Sequence, residues 1–227
     1  MSYLKTVYNR KREPKTTYPR KLVEYLVARF RLKKIDKTLE LGMGNGDLLV
    51  EFYKRGFECY GVDKEISITN NPGIVVKRID ISKTKLPFPD NYFDTVYHKS
   101  VLEHFYRNEV DFVMKETRRV LKKRGKLIIL VPDWESQMKT FFEDYTQVHP
   151  YSSMAISDLL SIYDFKKVNA EKFYQLPLIW KFPRIKILAE IYSLFVSTAF
   201  ARKLAETTGL KLFRWSKELM VLGYGEK

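Results

Sequence analysis

The chain has a single cysteine in 227 residues, Cys59. One thiol cannot close an internal disulfide or join a cluster of thiolate metal ligands, and no metal set is expected. No run of about 18 uninterrupted apolar residues occurs, which argues against a spanning helix. The basic start, MSYLKTVYNRKREPK, lacks the apolar segment that follows the charged region of a secretory leader. No internal repeat or low-complexity linker divides the chain, so a single domain over 1–227 is expected, with 1–36 as a helical lead-in. Acidic residues are scarce against basic ones, 27 Asp and Glu facing 41 Lys and Arg, which leaves +14. Such an excess favours an anionic partner: nucleic acid, a phosphorylated metabolite or an acidic membrane surface. No RNA-binding or helix-turn-helix signature accompanies it, and a generic basic surface explains the charge equally well. With 45% hydrophobic and 30% charged residues the chain is globular. A cytoplasmic enzyme or binding protein is the default expectation.

Glycine is sparse as well, and three of the ten stand on alternate positions in Leu39-Glu40-Leu41-Gly42-Met43-Gly44-Asn45-Gly46-Asp47-Leu48-Leu49. A cluster of this kind marks a tight turn or a ligand that needs the side chains gone. Around it, helical and extended patterns alternate. Pro19 opens a helix carrying Leu22, Val23, Leu26 and Phe30 to about Arg31. Thr38 to Leu41 is a short buried strand, and Asp47 to Arg55 a helix ended by Gly56. Further strands are expected at Glu58 to Val62, Ile74 to Ile79 and Tyr92 to Tyr97. Asn108 caps a helix with Val110, Val113, Met114, Thr117, Val120 and Leu121 on one face, closed by Gly125. Lys126 to Val131, stopped by Pro132, is the most apolar strand. Ser153 caps a helix to Tyr163, Lys166 to Phe173 is a sixth strand, and Leu210 to Gly223 a seventh that completes an antiparallel edge. Alternating strands and helices imply a doubly wound, mainly parallel seven-stranded α/β sheet with right-handed crossovers.

The glycines then sit at the first strand-to-helix turn, where such sheets bind ligands. Their spacing is G-x-G-x-G behind Glu40, which is not the G-x-G-x-x-G pyrophosphate fingerprint. A carboxylate at that mouth suits a cationic ligand better than a phosphate, and Asp63 after the second strand is placed for ribose hydroxyls. With these blocks in view, the sequence resembles the class I S-adenosylmethionine-dependent methyltransferases over about residues 20 to 175. Leu39 to Gly46 looks like their first motif, and Asp63 with the following Lys64 matches their ribose-binding acidic position. Arg78-Ile79-Asp80-Ile81 is similar to the block that contacts adenine. Leu86-Pro87-Phe88-Pro89-Asp90-Asn91-Tyr92-Phe93-Asp94 with Ser100-Val101-Leu102-Glu103-His104 resembles the fourth-strand signature, and Arg119 to Leu127 the fifth block. The resemblance implies S-adenosylmethionine as cofactor, held by Glu40, Gly42, Gly44, Gly46, Asp63, Lys64, Asp80, Ile81 and His98. There are three departures from the pattern. Met43 occupies a position where a small residue is common. Only about ten residues separate Asp63 from Ile74, so the second crossover helix shrinks to a loop. His98 and Lys99 follow the fourth strand where small or amide residues are frequent.

A hydroxyl acceptor would require proton removal, which directs attention to the histidines. His104 and His149 are the catalytic candidates; Glu103 and Asp133 are weaker ones, better read as helix-end residues. The expected reaction is methyl transfer to a small-molecule, glycan or lipid-linked acceptor, with a hydroxyl as first choice. RNA methylation and a non-enzymatic cofactor sensor remain open as alternatives. Residues 176–206 form a helical, lid-like insertion between strands six and seven. Its apolar residues, flanked by Lys181, Arg184, Lys186, Arg202 and Lys203, fit a cover over the acceptor, an interfacial contact with an anionic membrane, or a dimer contact. The expected location is therefore the cytoplasm, with peripheral membrane attachment as an extension.

Overall fold

The computed structural model describes residues 16–66 and 73–227. The first 15 residues of the expected lead-in, and most of the loop expected in place of the second crossover helix, lie outside the described residues. Helix α1 (Tyr18–Phe30) leads to β1 (Lys37–Leu41), α2 (Asp47–Tyr53), β2 (Glu58–Asp63), β3 (Ile74–Arg78) and β4 (Phe93–Lys99). Helix α3 (Arg107–Val120), β5 (Leu121–Pro132), a short α4 (Trp134–Gln137), α5 (Ser153–Ile162) and β6 (Lys166–Phe173) follow. Four helices, α6 (Pro177–Lys181), α7 (Lys186–Phe195), α8 (Thr198–Thr208) and α9 (Leu212–Trp215), precede β7 (Met220–Glu226). The seven strands form one sheet in the order β3-β2-β1-β4-β5-β7-β6. The first five are parallel, and β7 is antiparallel to both β5 and β6. The doubly wound α/β expectation and its helical insertion between β6 and β7 therefore hold. Strand order reverses between β1 and β4, which is where doubly wound sheets place a ligand crevice.

Both faces of the sheet are covered, as a parallel sheet requires. Leu39, Leu41, Val96, Leu127 and Ile129 pack with α3 and α5 on one face. Cys59, Tyr97, Ile128 and Leu130 pack with α1 and α2 on the other. The unbroken apolar run of β5 thus serves two cores through the two-residue period of a strand.

Several boundaries differ from the sequence expectation, each for a local reason. Helix α3 starts before Asn108, because Glu109 reaches back to accept the Tyr106 N–H at 2.9 Å. It stops at Val120 rather than at Gly125. Phe93 pairs with Leu121 while Thr95 pairs with Lys126, so the residues between them bulge out and Arg124 takes a φ of 64°. Ser152, not Ser153, caps α5, its Oγ accepting from the Ala155 N–H at 3.2 Å. Strand β4 runs on through His98 and Lys99, which pair with Ile129 and Leu130. Strand β7 begins only at Met220. The stretch expected to open it is helical where Trp215 packs on Tyr18 with ring centroids 4.9 Å apart.

Met43 is accommodated by a missing side chain on the neighbouring strand. It is buried over Gly61 of β2, where an added Cβ would lie 2.5 Å from the Met43 sulfur and 2.7 Å from Leu49 Cδ2. Gly61→Ala is expected to destabilise the fold by about 1–3 kcal/mol through overpacking. The same change in a Met43→Ala background should cost measurably less, a coupling read by chemical denaturation of the four variants. Equal costs in both backgrounds would mean that Met43 does not fill that space.

Candidate active site

The turn after β1 is built by its glycines. Gly42, Gly44 and Gly46 have φ of 63°, 52° and 67°, the left-handed region that costs other residues about 1–2 kcal/mol each. Gly42 also lies against Val101, whose Cγ2 would be 2.6 Å from an added Cβ. The N–H groups of Gly42 and Met43 donate to the Val62 carbonyl at 2.9 and 3.3 Å, which wraps the turn over the end of β2. There Asp63 Oδ2 accepts the Gly44 N–H at 2.8 Å, and Oδ1 accepts the Glu65 N–H at 2.9 Å. Lys64 is exposed, and its carbonyl accepts from Arg78 Nε at 3.0 Å.

Asp80 follows β3. Part burial works against its ionisation, but Ser82 prevails: the hydroxyl and N–H donate to Oδ1 at 2.7 and 3.1 Å and hold the carboxyl below its ordinary range. Ile81 beside it is buried in the core. Glu40 is turned inward rather than set at the mouth. Burial pushes its carboxyl up to about 8 against the opposing bond from Tyr97, whose hydroxyl donates at 2.7 Å. Glu40 is therefore a neutral acid at pH 7.

A buried histidine stands near the end of β4, and a buried acid follows in the next turn. His98 is buried, its ring driven down to about 3 by desolvation, and Nδ1 has no hydrogen-bond partner among the described residues. Glu103, in the single turn Leu102–His104, is fully buried with neither carboxylate oxygen paired among the described residues. Burial raises it to about 7, against the lowering influence of His104. At the end of β5, Asp133 caps α4 by accepting the Ser136 N–H at 3.0 Å, while its other oxygen is buried and unpaired among the described residues.

The histidines come together by way of a loop that follows α4. The N–H groups of Val148 and His149 donate to the Glu103 carbonyl at 2.8 and 3.1 Å, so residues 144–149 clamp onto the Leu102–His104 turn. His104 Nδ1 lies 3.0 Å from both the carbonyl and the hydroxyl of Thr146. The Thr146 hydroxyl in turn donates to Asp144 Oδ1 at 2.7 Å. The carbonyl can only accept, so Nδ1 carries a proton, and in the uncharged form of the ring the lone pair lies on Nε2. His149 packs on Tyr151 with ring centroids 4.7 Å apart; burial first, then the charge of Arg107, lower its pKa. Thus the backbone of His149 lies against the Leu102–His104 turn, while His98 stands in β4. Asp144 and Thr146 escaped the sequence reading, since neither sits in a periodic pattern or near a motif, and Tyr97 was legible only as the end of the fourth strand. Among the described residues no group of three or more His, Cys, Asp or Glu could hold a metal.

A family model for the methyltransferase domain matches residues 39–129, the span from the glycine turn to the middle of β5. An uncharacterized protein of Methanocaldococcus jannaschii is 32% identical over 174 residues, 74% of this chain and 72% of that protein. The chain belongs to the class I S-adenosylmethionine-dependent methyltransferases. The ubiquinone/menaquinone biosynthesis C-methyltransferase UbiE of Neisseria meningitidis is 34% identical over 113 residues, 44% of each chain, so the match spans less than half of that enzyme. A crystal structure of a SAM-dependent methyltransferase from Archaeoglobus fulgidus shares the fold, with a TM-score of 0.69, 20% identity and full coverage of both chains. The cofactor of this methyltransferase is S-adenosylmethionine, and the site offers features that fit it. Three left-handed glycines remove side chains beside the Asp63 carboxylate, and the buried His98 Nδ1 has no hydrogen-bond partner among the described residues.

The buried acids make stability depend on pH. Folded, Glu40 holds its proton to about 8, whereas the unfolded side chain releases it near the ordinary value of 4.5. Between those values the folded chain binds more protons. Stability therefore falls as pH rises through that window, by up to roughly 1.4 kcal/mol per unit, and levels off above it. Glu40→Gln, which keeps an acceptor for Tyr97, is expected to match the wild type near pH 4.5 and to gain on it steadily to pH 8. Denaturant melts across that range measure the difference, and parallel curves would show that Glu40 ionises normally.

Proposed function

We propose that this methyltransferase modifies a small-molecule or glycan acceptor, free or lipid-linked, at a hydroxyl, and that His104 takes the proton. The observation that carries this reading is the Asp144–Thr146–His104 chain, which sets the ring tautomer with the lone pair on Nε2. A positioned base of this kind is worth about 10²–10⁴-fold in rate. His149, whose pKa burial lowers, is the second candidate, its backbone bonded to the same turn. In this reading the glycine turn and Asp63 hold the nucleoside end of the cofactor, with Lys64 alongside. Asp80 and Ile81 bound the adenine, while Glu40 and His98 support the wall beneath. S-adenosylmethionine supplies, when bound, a methyl group already activated on a sulfonium sulfur. The chain's remaining task is to align the acceptor, and orientation can contribute roughly 7–11 kcal/mol of such a barrier.

The similarity to UbiE, named as a C-methyltransferase, favours a second reading in which the methyl goes to a carbon that also gives up a proton. RNA methylation has only the net charge of +14 in its favour.

The acceptor class is tested by incubating the protein with methyl-labelled cofactor and fractionated polar metabolites, lipids and RNA. Label in metabolites or lipids is expected; label in RNA alone would overturn the reading. The carbon shift of the labelled methyl separates oxygen from carbon products. With the acceptor in hand, His104→Ala should lower kcat by about 10²–10⁴-fold while cofactor affinity by calorimetry stays within about twofold. Thr146→Val should give a smaller loss in kcat at unchanged KM. Asp63→Asn is expected to weaken cofactor binding by about 1.5–3 kcal/mol through loss of one charge-assisted bond. Unchanged affinity in a folded Asp63→Asn variant would remove Asp63 from the site.

A further inference from the structure

We propose that helix α7 is an interfacial helix that seats this protein on an anionic membrane surface. Its apolar residues Ile187, Leu188, Ile191, Leu194 and Phe195 are spaced i, i+1, i+4, i+7 and i+8, which places them on one helical face. That face points outward: all five are exposed, Leu194 to 79% and Phe195 to 84%. The inward face presents the small Ala189, which packs against Tyr174, Ile179 and Leu219. An ordinary surface helix has the opposite arrangement, large apolar groups in and small or polar groups out. Phe182 just ahead of α7 and Phe200 on α8 extend the exposed apolar surface.

Charge identifies the occupant. Residues 177–215 hold seven Lys and Arg against two Asp and Glu. Lys181, Arg184 and Lys186 are exposed and crowd the N-terminal end of the stripe. Arg202 is not part of this set, because it is turned inward to Glu143 and Glu218. Apolar anchors beside a cluster of bases match the boundary of a bilayer with anionic headgroups. A second copy of the chain would bring the same positive charge to the contact. At ten residues α7 is about 15 Å long. It can lie in the interface but not cross, and among the described residues no helix is long and apolar enough to span a membrane.

The test is flotation of the full chain with phosphatidylcholine vesicles, with and without phosphatidylglycerol, in low and physiological salt. Binding is expected only with phosphatidylglycerol and should weaken with salt, since exposed charges are screened within about 8 Å. Lys181→Gln, Arg184→Gln and Lys186→Gln together should weaken partitioning by roughly a hundredfold, about fivefold for each base. Leu194→Ser with Phe195→Ser should abolish it, at an unchanged melting temperature and cofactor affinity because both side chains are solvent-exposed. Absence of binding by the wild type at low salt overturns the proposal. So does unaltered binding by the double serine variant, or a wild-type dimer that the same variant converts to monomer without any vesicle binding. Displacement by RNA with no dependence on Leu194 and Phe195 overturns it as well. Each readout is independent of turnover, so the result does not depend on which acceptor is methylated.

Discussion

The hydrogen bond from the Gly44 amide to the Asp63 carboxylate joins the ends of β1 and β2, beside the point between β1 and β4 where the sheet reverses its strand order. The turn that presents that amide exists only because Gly42, Gly44 and Gly46 can adopt left-handed backbone angles. Substituted with L-residues, the three positions would together store about 3–6 kcal/mol of strain, a large share of a typical domain's stability. The same turn aims Met43 into the space that Gly61 leaves open, and so fixes the packing of α2 on β2. Backbone strain, the Asp63 carboxylate and core packing are thus one local arrangement.

Around that turn the protein keeps polar groups in places where they cost stability. Glu40 near the end of β1, Glu103 in the turn after β4 and Asp133 just after β5 carry carboxyls that burial holds toward the neutral form, and burial keeps His98, near the end of β4, toward the uncharged ring. Apolar residues of similar size would pack there without desolvation cost. Their concentration at the C-terminal edge of a parallel sheet, and the presence of unpaired atoms among them, distinguishes this edge from the rest of the core. The loop from Asp144 to His149 covers it and brings its own hydrogen-bonded chain to His104.

The insertion between β6 and β7 is held differently. Its contact with the main body rests on a small cluster around Ala189 and on aromatic packing of Tyr18 and Tyr25 with Trp180 and Trp215. Glu218, buried beneath, receives both Arg202 and Arg214. These contacts orient the helices while leaving the apolar side of α7 outside the core.

By itself the sequence determined the strands, their order along the chain and the class of fold, because two-residue and 3.6-residue periodicities and glycine positions are local properties. The glycine turn, Asp63 and Asp80 were legible for the same reason: each follows directly from the end of a strand. Element ends at Asn108, Ser153 and Leu210 were misread where a neighbouring segment decided the outcome, as when Tyr18 packs on Trp215 and a helix replaces the expected strand. Tertiary structure alone decided that Glu40 faces inward to Tyr97, that Thr146 and Asp144 orient His104, and that Arg202 turns away from the surface. Each of these depends on a partner 16 to 59 residues away. Burial and pairing are properties of the packed chain, and no local pattern encodes them.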